Sequence, residues 1–214
     1  MILSQKIRVF KKRIQISQKK WNSVQNESLR IINSILTIIS RLSLTQKNDT
    51  FSESLLEKFP EVPDRIAFYL TDIINHNISD LNSYIQQFTE ILNEMKIIEN
   101  EFKQDFSVLI KKQVIDHRNP SSLDLEIIEQ AEETIQEIVD MYQVELALRN
   151  QIFQEIQNPC DFKPARLTAN LVLWSAEVYI ESSRIRDLFE GFSLVEKLCE
   201  KIQTENSLNS ISKS

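Results

Sequence analysis

Residues 7–42 read IRVFKKRIQISQKKWNSVQNESLRIINSILTIISRL and decide the fold class of this 214-residue chain. Side chains recur in this stretch at alternating steps of three and four residues, the spacing of a helical seam that packs against other helices. The seam positions are Ile7, Phe10, Ile14, Ser17, Trp21, Val24, Ser28, Ile31, Ile35, Ile38 and Leu42. Nine of the eleven positions are apolar, so the stretch predicts a long coiled-coil helix.

Five prolines divide the rest of the chain into further helical blocks, and no alternating strand pattern occurs. The predicted helices cover about residues 3–46, 64–112, 121–157, 164–190 and 193–203. Gly191 is expected to end the fourth of these helices, because glycine is favoured just after a helix C-terminus. The chain therefore predicts an all-α fold, an elongated antiparallel helical bundle or coiled coil. Its long helices occupy residues 1–112, a smaller helical region occupies residues 121–203, and residues 204–214 are expected to form a disordered tail.

Composition argues against most enzyme classes. The single glycine leaves nothing from which to build a phosphate-binding loop, a dinucleotide fingerprint or a nucleophile elbow. His76 and His117 lie far apart, and Cys160 and Cys199 are too few for a disulfide framework or a zinc cluster. We expect a soluble intracellular protein, in a reducing compartment, that is not an enzyme, binds no metal or cofactor and does not span a membrane.

Charge is distributed unevenly along the chain. Residues 1–48 contain ten Lys or Arg and one acidic residue, whereas residues 121–148 contain eight acidic residues and no Lys or Arg. Lys6, Arg13 and Lys20 occupy flanking positions of the first seam, which favours ion pairs with the acidic helix or with a partner helix. The alternative is phosphate contact with a nucleic acid, which we consider the weaker interpretation.

Two segments carry a family resemblance. Residues 141–149 read MYQVELALR and residues 173–184 read LWSAEVYIESSR. They resemble the cyclin-dependent kinase 2-interacting protein family, in which a helix of the M-Y-x-x-E-L-x-L-[KR] type precedes a W-x4-Y-[IV]-E-S stretch. The resemblance is clear over residues 133–192 and looser over residues 21–110. The layout of the helices is also similar to that of the AFG2-interacting ribosome maturation factor.

This resemblance implies a non-enzymatic adaptor that joins AFG2-type AAA+ ATPases together with a paralogous small helical subunit. It further implies a nuclear location, with the cytoplasm as a second location, and a link to DNA replication, genome maintenance and ribosome maturation. Cyclin-dependent kinase 2, the Cdc7 kinase and the checkpoint kinase ATR with its partner are the other proteins to which it points. Arg186-Asp187-Leu188-Phe189 matches a cyclin-docking pattern, although Leu188 and Phe189 also have the spacing of a helical core.

The resembling segments supply the candidate partner-binding residues. These are Tyr142, Glu145, Arg149, Trp174, Tyr179, Glu181 and Arg184. Each has a plainer alternative, since Trp174 and Tyr179 also suit a core and the charged residues also suit pairs within one helix. The rival functions are a self-contained coiled-coil tether and a nucleic-acid-binding basic helix.

Overall fold

The structure, a computed structural model, describes residues 3–45, 50–115, 122–157 and 164–211. Its helices are α1 Leu3–Thr45, α2 Glu53–Lys58, α3 Val62–Ile115, α4 Ser122–Ile156, α5 Pro164–Ala176 and α6 Ser182–Ile211. The described residues contain no strand, so the all-α prediction is confirmed. His117 and the prolines at 120 and 159 lie outside the described residues.

The chain divides into two compact units. Unit 1 consists of Met1–Trp21, Glu90–Val144 and Tyr179–Ser214, and unit 2 consists of Asn22–Thr89 and Glu145–Val178. The three long helices α1, α3 and α4 therefore each contribute residues to both units.

In unit 1, α1 and α3 are joined by a row of interhelical ion pairs that we call the α1–α3 ladder. The pairs are Lys6 with Asp105 at 2.7 Å, Arg13 with Glu101 at 2.5 Å and Lys20 with Glu94 at 2.7 Å. Residue numbers rise along one helix as they fall along the other, so the two helices are antiparallel. The basic flank of the first seam is thus paired within the chain, as the favoured interpretation expected. Its acidic partner is α3 and not the segment 121–148. The sequence did not indicate this, because composition gives the number of acidic residues on a helix but not which helix faces α1.

Aromatic side chains fill the interior of unit 1 beside the ladder. The rings of Phe10 and Phe102 lie 5.2 Å apart edge to face, and Phe106 packs against Phe102 at 4.3 Å. Trp21 of α1 meets Tyr142 of α4 at 4.9 Å, again edge to face. These contacts bury the first half of the α1 seam, with Ile7, Phe10, Ile14 and Trp21 among the buried residues.

Helix α6 of unit 1 differs from the sequence-based expectation. Gly191 lies inside the helix with no positive φ, and α6 continues to Ile211, across residues that were expected to form a break and then a disordered tail. The helix continues through Gly191 because the residues that follow it have a surface to pack against. Phe192 is buried, and Ser193 accepts a hydrogen bond from Lys11 of α1 at 2.6 Å. Contacts with α1 therefore outweigh the poor helix propensity of one glycine, which costs about 1 kcal/mol relative to alanine.

In unit 2 most of the expected α1 seam is buried, but the buried face drifts along the helix. Ile31 and Leu42, which were expected in the seam, are half-buried, whereas the neighbouring Ile32 and Ile39 are buried. An α-helix has 3.6 residues per turn, so a face that repeats every seven residues drifts by about 20° per heptad. Toward the end of α1 this drift brings the residue that follows a seam position into the contact.

A polar contact lies within this apolar part of unit 2. Asn77 of α3 is buried, and its amide donates a hydrogen bond to the Ser34 hydroxyl of α1 at 3.0 Å. This buried amide is therefore hydrogen-bonded, as it must be to avoid a desolvation cost.

Candidate functional site

Arg149 of α4 is the centre of a buried polar cluster in unit 2. Its side chain has no exposed surface and lies on the same face of α4 as the apolar seam. The guanidinium donates to Glu145 at 3.1 Å within the helix and to Gln25 of α1 at 2.5 Å. It also donates to Glu177, just beyond α5, at 3.1 Å. We call Arg149, Glu145, Gln25 and Glu177 the Arg149 cluster.

Two aromatic rings cover the Arg149 guanidinium. Its central carbon lies 4.3 Å from the ring centre of Phe88 on α3 and 5.0 Å from that of Trp174 on α5. A guanidinium at this distance from a ring face is attracted by the ring quadrupole, and the attraction strengthens when water is excluded. The cation is thus bound through its edge by oxygens and through its faces by aromatic carbon.

Trp174 is itself anchored by polar contacts to α1. Its indole N–H donates to the Ser28 hydroxyl at 3.1 Å, and its backbone carbonyl accepts a hydrogen bond from the Gln25 amide at 3.0 Å. Ser28 is one of the two polar positions in the α1 seam. A small hydroxyl residue at this position supplies the acceptor that a buried tryptophan needs.

The chain leaves α5 through a turn that begins at Glu177. This residue has φ 47°, and it is the only described residue other than glycine with a positive φ. A left-handed conformation costs a residue with a side chain about 1–2 kcal/mol, so it persists only where surrounding contacts hold it. Here the ion pair with Arg149 holds the Glu177 carboxylate at the point where the backbone turns.

Burial has an electrostatic consequence for the cluster. Desolvation lowers the pKa of Arg149, and the charges of Glu145 and Glu177 oppose that effect. Since an arginine starts from a very high pKa, we treat the group as a cation whose charge is neutralised by two carboxylates. The arrangement is suited to fixing α5 in position, and the Arg149 side chain is closed to solvent.

The start of α5 is tied to α4 by a second, solvent-exposed contact. Glu155 accepts two hydrogen bonds from Arg166, at 2.9 and 3.1 Å, and one from the Asn170 amide at 2.8 Å. The hydrogen bonds from Asn170 and Arg166 lower the pKa of Glu155. α5 is therefore held at its beginning by a surface contact and at its end by a buried one.

Comparison with known protein families gives a match over residues 1–188 to the family described as CA109-like, ribosome biogenesis protein C1orf109-like. The chain belongs to this C1orf109-like family. A comparison with curated proteins finds no match. The C1orf109-like family is related to the cyclin-dependent kinase 2-interacting proteins that residues 133–192 resemble. Membership of the related kinase-interacting family stays a hypothesis.

In this C1orf109-like chain, the predicted partner-binding residues fall into two groups. Tyr142, Glu145, Arg149 and Trp174 have no exposed surface, so in this structure they take the alternative role of core residues. Their pattern resembles a family motif because a tightly constrained core also demands particular residue types.

The other three predicted residues are exposed in unit 1. They are Tyr179, Glu181 and Arg184. Arg184 pairs with Glu137 of α4 at 2.6 and 2.9 Å, and this contact raises its pKa. The plainer alternative for Arg184, a pair with Glu181 within one helix, gives way to this interhelical pair. Tyr179 and Glu181 remain accessible for a partner.

Sequence reasoning missed Gln25 and Ser28 of α1 and gave Glu177 no role. Ser28 did leave a signal, since it interrupts an apolar seam without breaking its spacing. Gln25 and Glu177 left none, because nothing in the sequence states that residues 149, 25 and 177 meet.

Within the described ranges, no cluster of three or more His, Cys, Asp or Glu side chains is arranged to hold a metal ion. In the same part of the chain, no helix has the length and apolar character needed to cross a membrane. His76 lies exposed on α3, 4.0 Å from Asp80 of the next turn.

Proposed function

We propose that this C1orf109-like protein is a non-enzymatic adaptor in ribosome biogenesis that joins an AFG2-type AAA+ ATPase to a second, paralogous helical subunit. The observation that carries the proposal is the family match over residues 1–188, which includes the whole of α1 to α5. The ATPase and the helical subunit come from the resemblance of residues 133–192, and a nuclear location belongs to the same proposal.

We assign the ATPase contact to the exposed side of α5 and the residues that follow it. Val172, Leu173 and Val178 are exposed apolar residues in unit 2, next in sequence to the buried Trp174 and the ion-paired Glu177. Exposed apolar groups of this kind mark interaction sites when they lie together. The buried residues then act as positioning residues, and the exposed ones make the contact.

Rigid presentation is the physical reason for this division of roles. A segment that is ordered before binding loses less conformational entropy on association than a mobile one. The Arg149 cluster orders the end of α5, and the Glu155 contact orders its start. The resembling motif is therefore explained as a scaffold for a docking helix.

Affinity purification of the tagged protein from its own cells, at moderate salt with ATP, followed by mass spectrometry, tests the proposal. Recovery of an AFG2-type ATPase with a second small helical subunit is the expected result. Recovery of the protein alone, or of tethering coiled coils, would overturn the adaptor role and favour the self-contained tether.

A surface variant tests the assignment to α5. Val172→Asp should lose the ATPase with an unchanged thermal unfolding midpoint, because Val172 is 56% exposed. Leu44→Asp introduces the same change at an exposed position on α1 and should retain the ATPase. Equal recovery with both variants would refute the α5 contact.

The kinase link is the weaker part of the resemblance. The cyclin-docking pattern lies inside α6, where Leu188 is buried and Phe189 is half-buried. Cyclin-dependent kinase 2, Cdc7 and ATR therefore stay outside the proposed core function, and the same purification would reveal them. Nucleic-acid binding is also disfavoured, since Lys6, Arg13 and Lys20 are engaged in the α1–α3 ladder.

A further inference from the structure

A groove of about 210 Å³ opens on the surface of unit 1 between α1 and α3. Its lining residues are Arg13, Ile16, Ser17, Glu94, Ile97 and Ile98. Ser17 and Ile98 are buried and lie at its base, whereas Ile16 and Ile97 are 47% and 53% exposed. We call this the ladder groove, because Arg13 and Glu94 each belong to a different ion pair of the α1–α3 ladder.

The groove has a cause in the sequence. Ser17 is the other polar position of the α1 seam besides Ser28, and it stands where the seam pattern calls for a large apolar residue. The pairs of Arg13 with Glu101 and of Lys20 with Glu94 hold the helices together on either side of this position. A small residue between two fixed contacts leaves space that the neighbouring side chains do not fill.

Exposed aliphatic residues extend the groove along both helices. Val9 precedes Ile16 by one heptad, and Val108 follows Ile97 by three helical turns, so each lies on the same side of its helix as its partner. Val9 is 49% and Val108 is 61% exposed. The apolar line is therefore longer than the groove, which suits an elongated occupant.

The two edges of the groove differ in charge. On α1, Lys12 and Lys19 lie four residues before and three residues after Ile16, and both are exposed. Neither lysine has a hydrogen bond or ion pair with any part of the chain that the structure describes. On α3, Asn93 and Asn100 take the corresponding positions around Ile97 and carry no charge. The charged residues of α3 that adjoin Ile97 outside the ladder are Lys96 and Glu90, one of each sign, so the excess charge beside the groove is positive and comes from the α1 edge.

We propose that the ladder groove binds an acidic amphipathic helix of a partner protein. An aliphatic side chain of that helix fills the space above Ser17, and neighbouring aliphatic residues cover the apolar line. Two Asp or Glu side chains, one heptad apart on the partner, pair with Lys12 and Lys19, which are about 10 Å apart along α1. The inference rests on the proposed function only in treating the chain as a subunit of an assembly.

Two other occupants fit the surface less well. A nucleic acid would satisfy the lysines but leave the apolar line in water. A second copy that placed its own α1 on the α1 edge of the groove would bring Lys12 and Lys19 against like charges. An acidic helix satisfies both the apolar and the charged features.

Titration of the purified full-length chain with a fluorescent synthetic helix tests the inference. The helix is about four heptads long, so that it is helical in water, with Leu and Ile at its core positions and Glu at the flanking positions. A matched control helix has Lys in place of every Glu. We expect the acidic helix to bind and the basic helix to bind at least about tenfold more weakly.

Variants of the chain locate the binding. Ile97→Asp should lower the affinity for the acidic helix by about tenfold or more, because it places a like charge in the groove. Lys12→Glu with Lys19→Glu should reverse the preference toward the basic helix. Leu44→Asp is the matched control and should bind as the unaltered chain does, and circular dichroism should show equal helix content in all variants.

Three results would overturn the inference. They are equal binding of the acidic and basic helices, unchanged binding by Ile97→Asp, and a concentration-dependent dimer of the chain that Ile97→Asp abolishes, since that dimer would make a second copy the occupant. The titration contains no ATPase, so loss of peptide binding and loss of the ATPase from purified complexes are separate outcomes. If Ile97→Asp retains the ATPase but loses peptide binding, both proposals stand.

Discussion

The α1–α3 ladder of unit 1 and the Arg149 cluster of unit 2 use the same chemistry in opposite surroundings. In the ladder, Lys20 and Glu94 are each about half exposed, whereas Arg149 and Glu145 have no exposed side-chain surface. An exposed pair contributes about 0–1 kcal/mol, because water competes for both charges. Breaking a buried pair costs about 3–5 kcal/mol, because the remaining charge loses its partner without regaining water.

This difference assigns different roles to the two regions. The ladder sets the register of two helices that are already held together by aromatic packing, and it leaves a groove beside it. The cluster and the rings that cover it make the position of α5 depend on three other helices, α1, α3 and α4. Exposed pairs therefore orient surfaces that are available for binding, and the buried cluster fixes the segment that we assign to the ATPase.

The largest expected effect is that of Arg149→Met. The substitution leaves Glu145 buried without its cation, so it should lower the free energy of unfolding by about 3–5 kcal/mol in urea denaturation. Lys20→Met, its counterpart in the ladder, should cost less than about 1 kcal/mol. Adding Glu145→Gln to Arg149→Met should restore part of the loss. If Arg149→Met and Lys20→Met lowered the free energy of unfolding equally, burial would not make the ion pair of the cluster more important for stability than that of the ladder.

Ser28→Ala should have the next largest effect. It removes the acceptor of the buried Trp174 indole N–H, and an unsatisfied buried donor costs about 1–3 kcal/mol. Ser40→Ala is the control on the same helix, because the Ser40 hydroxyl only returns to the Leu36 carbonyl at an exposed position. Thermal unfolding of both variants measures the difference, and similar midpoints would argue against the Trp174 anchor.

Two substitutions of Glu177 separate the effect of backbone strain from the effect of charge. Glu177→Ala and Glu177→Gly both lose the ion pair with Arg149, but only glycine adopts positive φ without strain. We expect the glycine variant to be more stable than the alanine variant by about 1 kcal/mol in urea denaturation. An alanine variant at least as stable as the glycine variant would contradict the left-handed conformation at this position.

At Gly191 in α6 the order should be reversed, with the alanine variant more stable than the glycine chain. It is helical, and a methyl group added there would meet no atom within 4 Å, so Gly191→Ala should raise the free energy of unfolding by about 0.5–1 kcal/mol. If the glycine instead ended a helix, as its position in the sequence suggests, alanine would destabilise the protein. The sign of the change therefore distinguishes the continuous α6 from a broken one.

The smallest expected effect concerns Glu155. Its pKa is lower in the folded chain than its ordinary value, so its contacts stabilise the protein at neutral pH. That contribution is lost as the pH falls through the folded-state pKa. Glu155→Gln should thus cost less than about 1 kcal/mol at neutral pH, and this cost should shrink as the pH falls through the folded-state pKa of Glu155. Glu133→Gln, an exposed change on the same helix, is the matched control in urea denaturation.

Much of the fold could be predicted from local pattern. The spacing of Ile7, Phe10 and Ile14 required a helix, and prolines marked where the long helices separate. The boundaries of α1, α3 and α4 lie within a few residues of the predicted ones. The end of α5 and the continuity of α6 could not be predicted in this way, because they depend on Arg149 and on α1, which lie far away in the sequence.

The candidate site shows the same limit. Residues 141–149 and 173–184 stood out in the sequence, but the pattern did not distinguish a buried cluster from a contact surface. A charged pair on an apolar seam is compatible with either, since exposure depends on what packs against the helix. The structure buries Arg149 and leaves Tyr179 accessible, although both belong to the same resembling region.

The sequence by itself determined the helical fold class, the lengths of the main helices, the paired basic flank of α1 and the family to which the chain belongs. Only the tertiary structure decided that α3 supplies the acids of the ladder, that Gln25, Ser28 and Glu177 join Arg149, and that Ser17 leaves a groove. The physical reason is that helix formation depends on residues three and four apart. Pairing, burial and unfilled space depend on which distant helix faces each side chain.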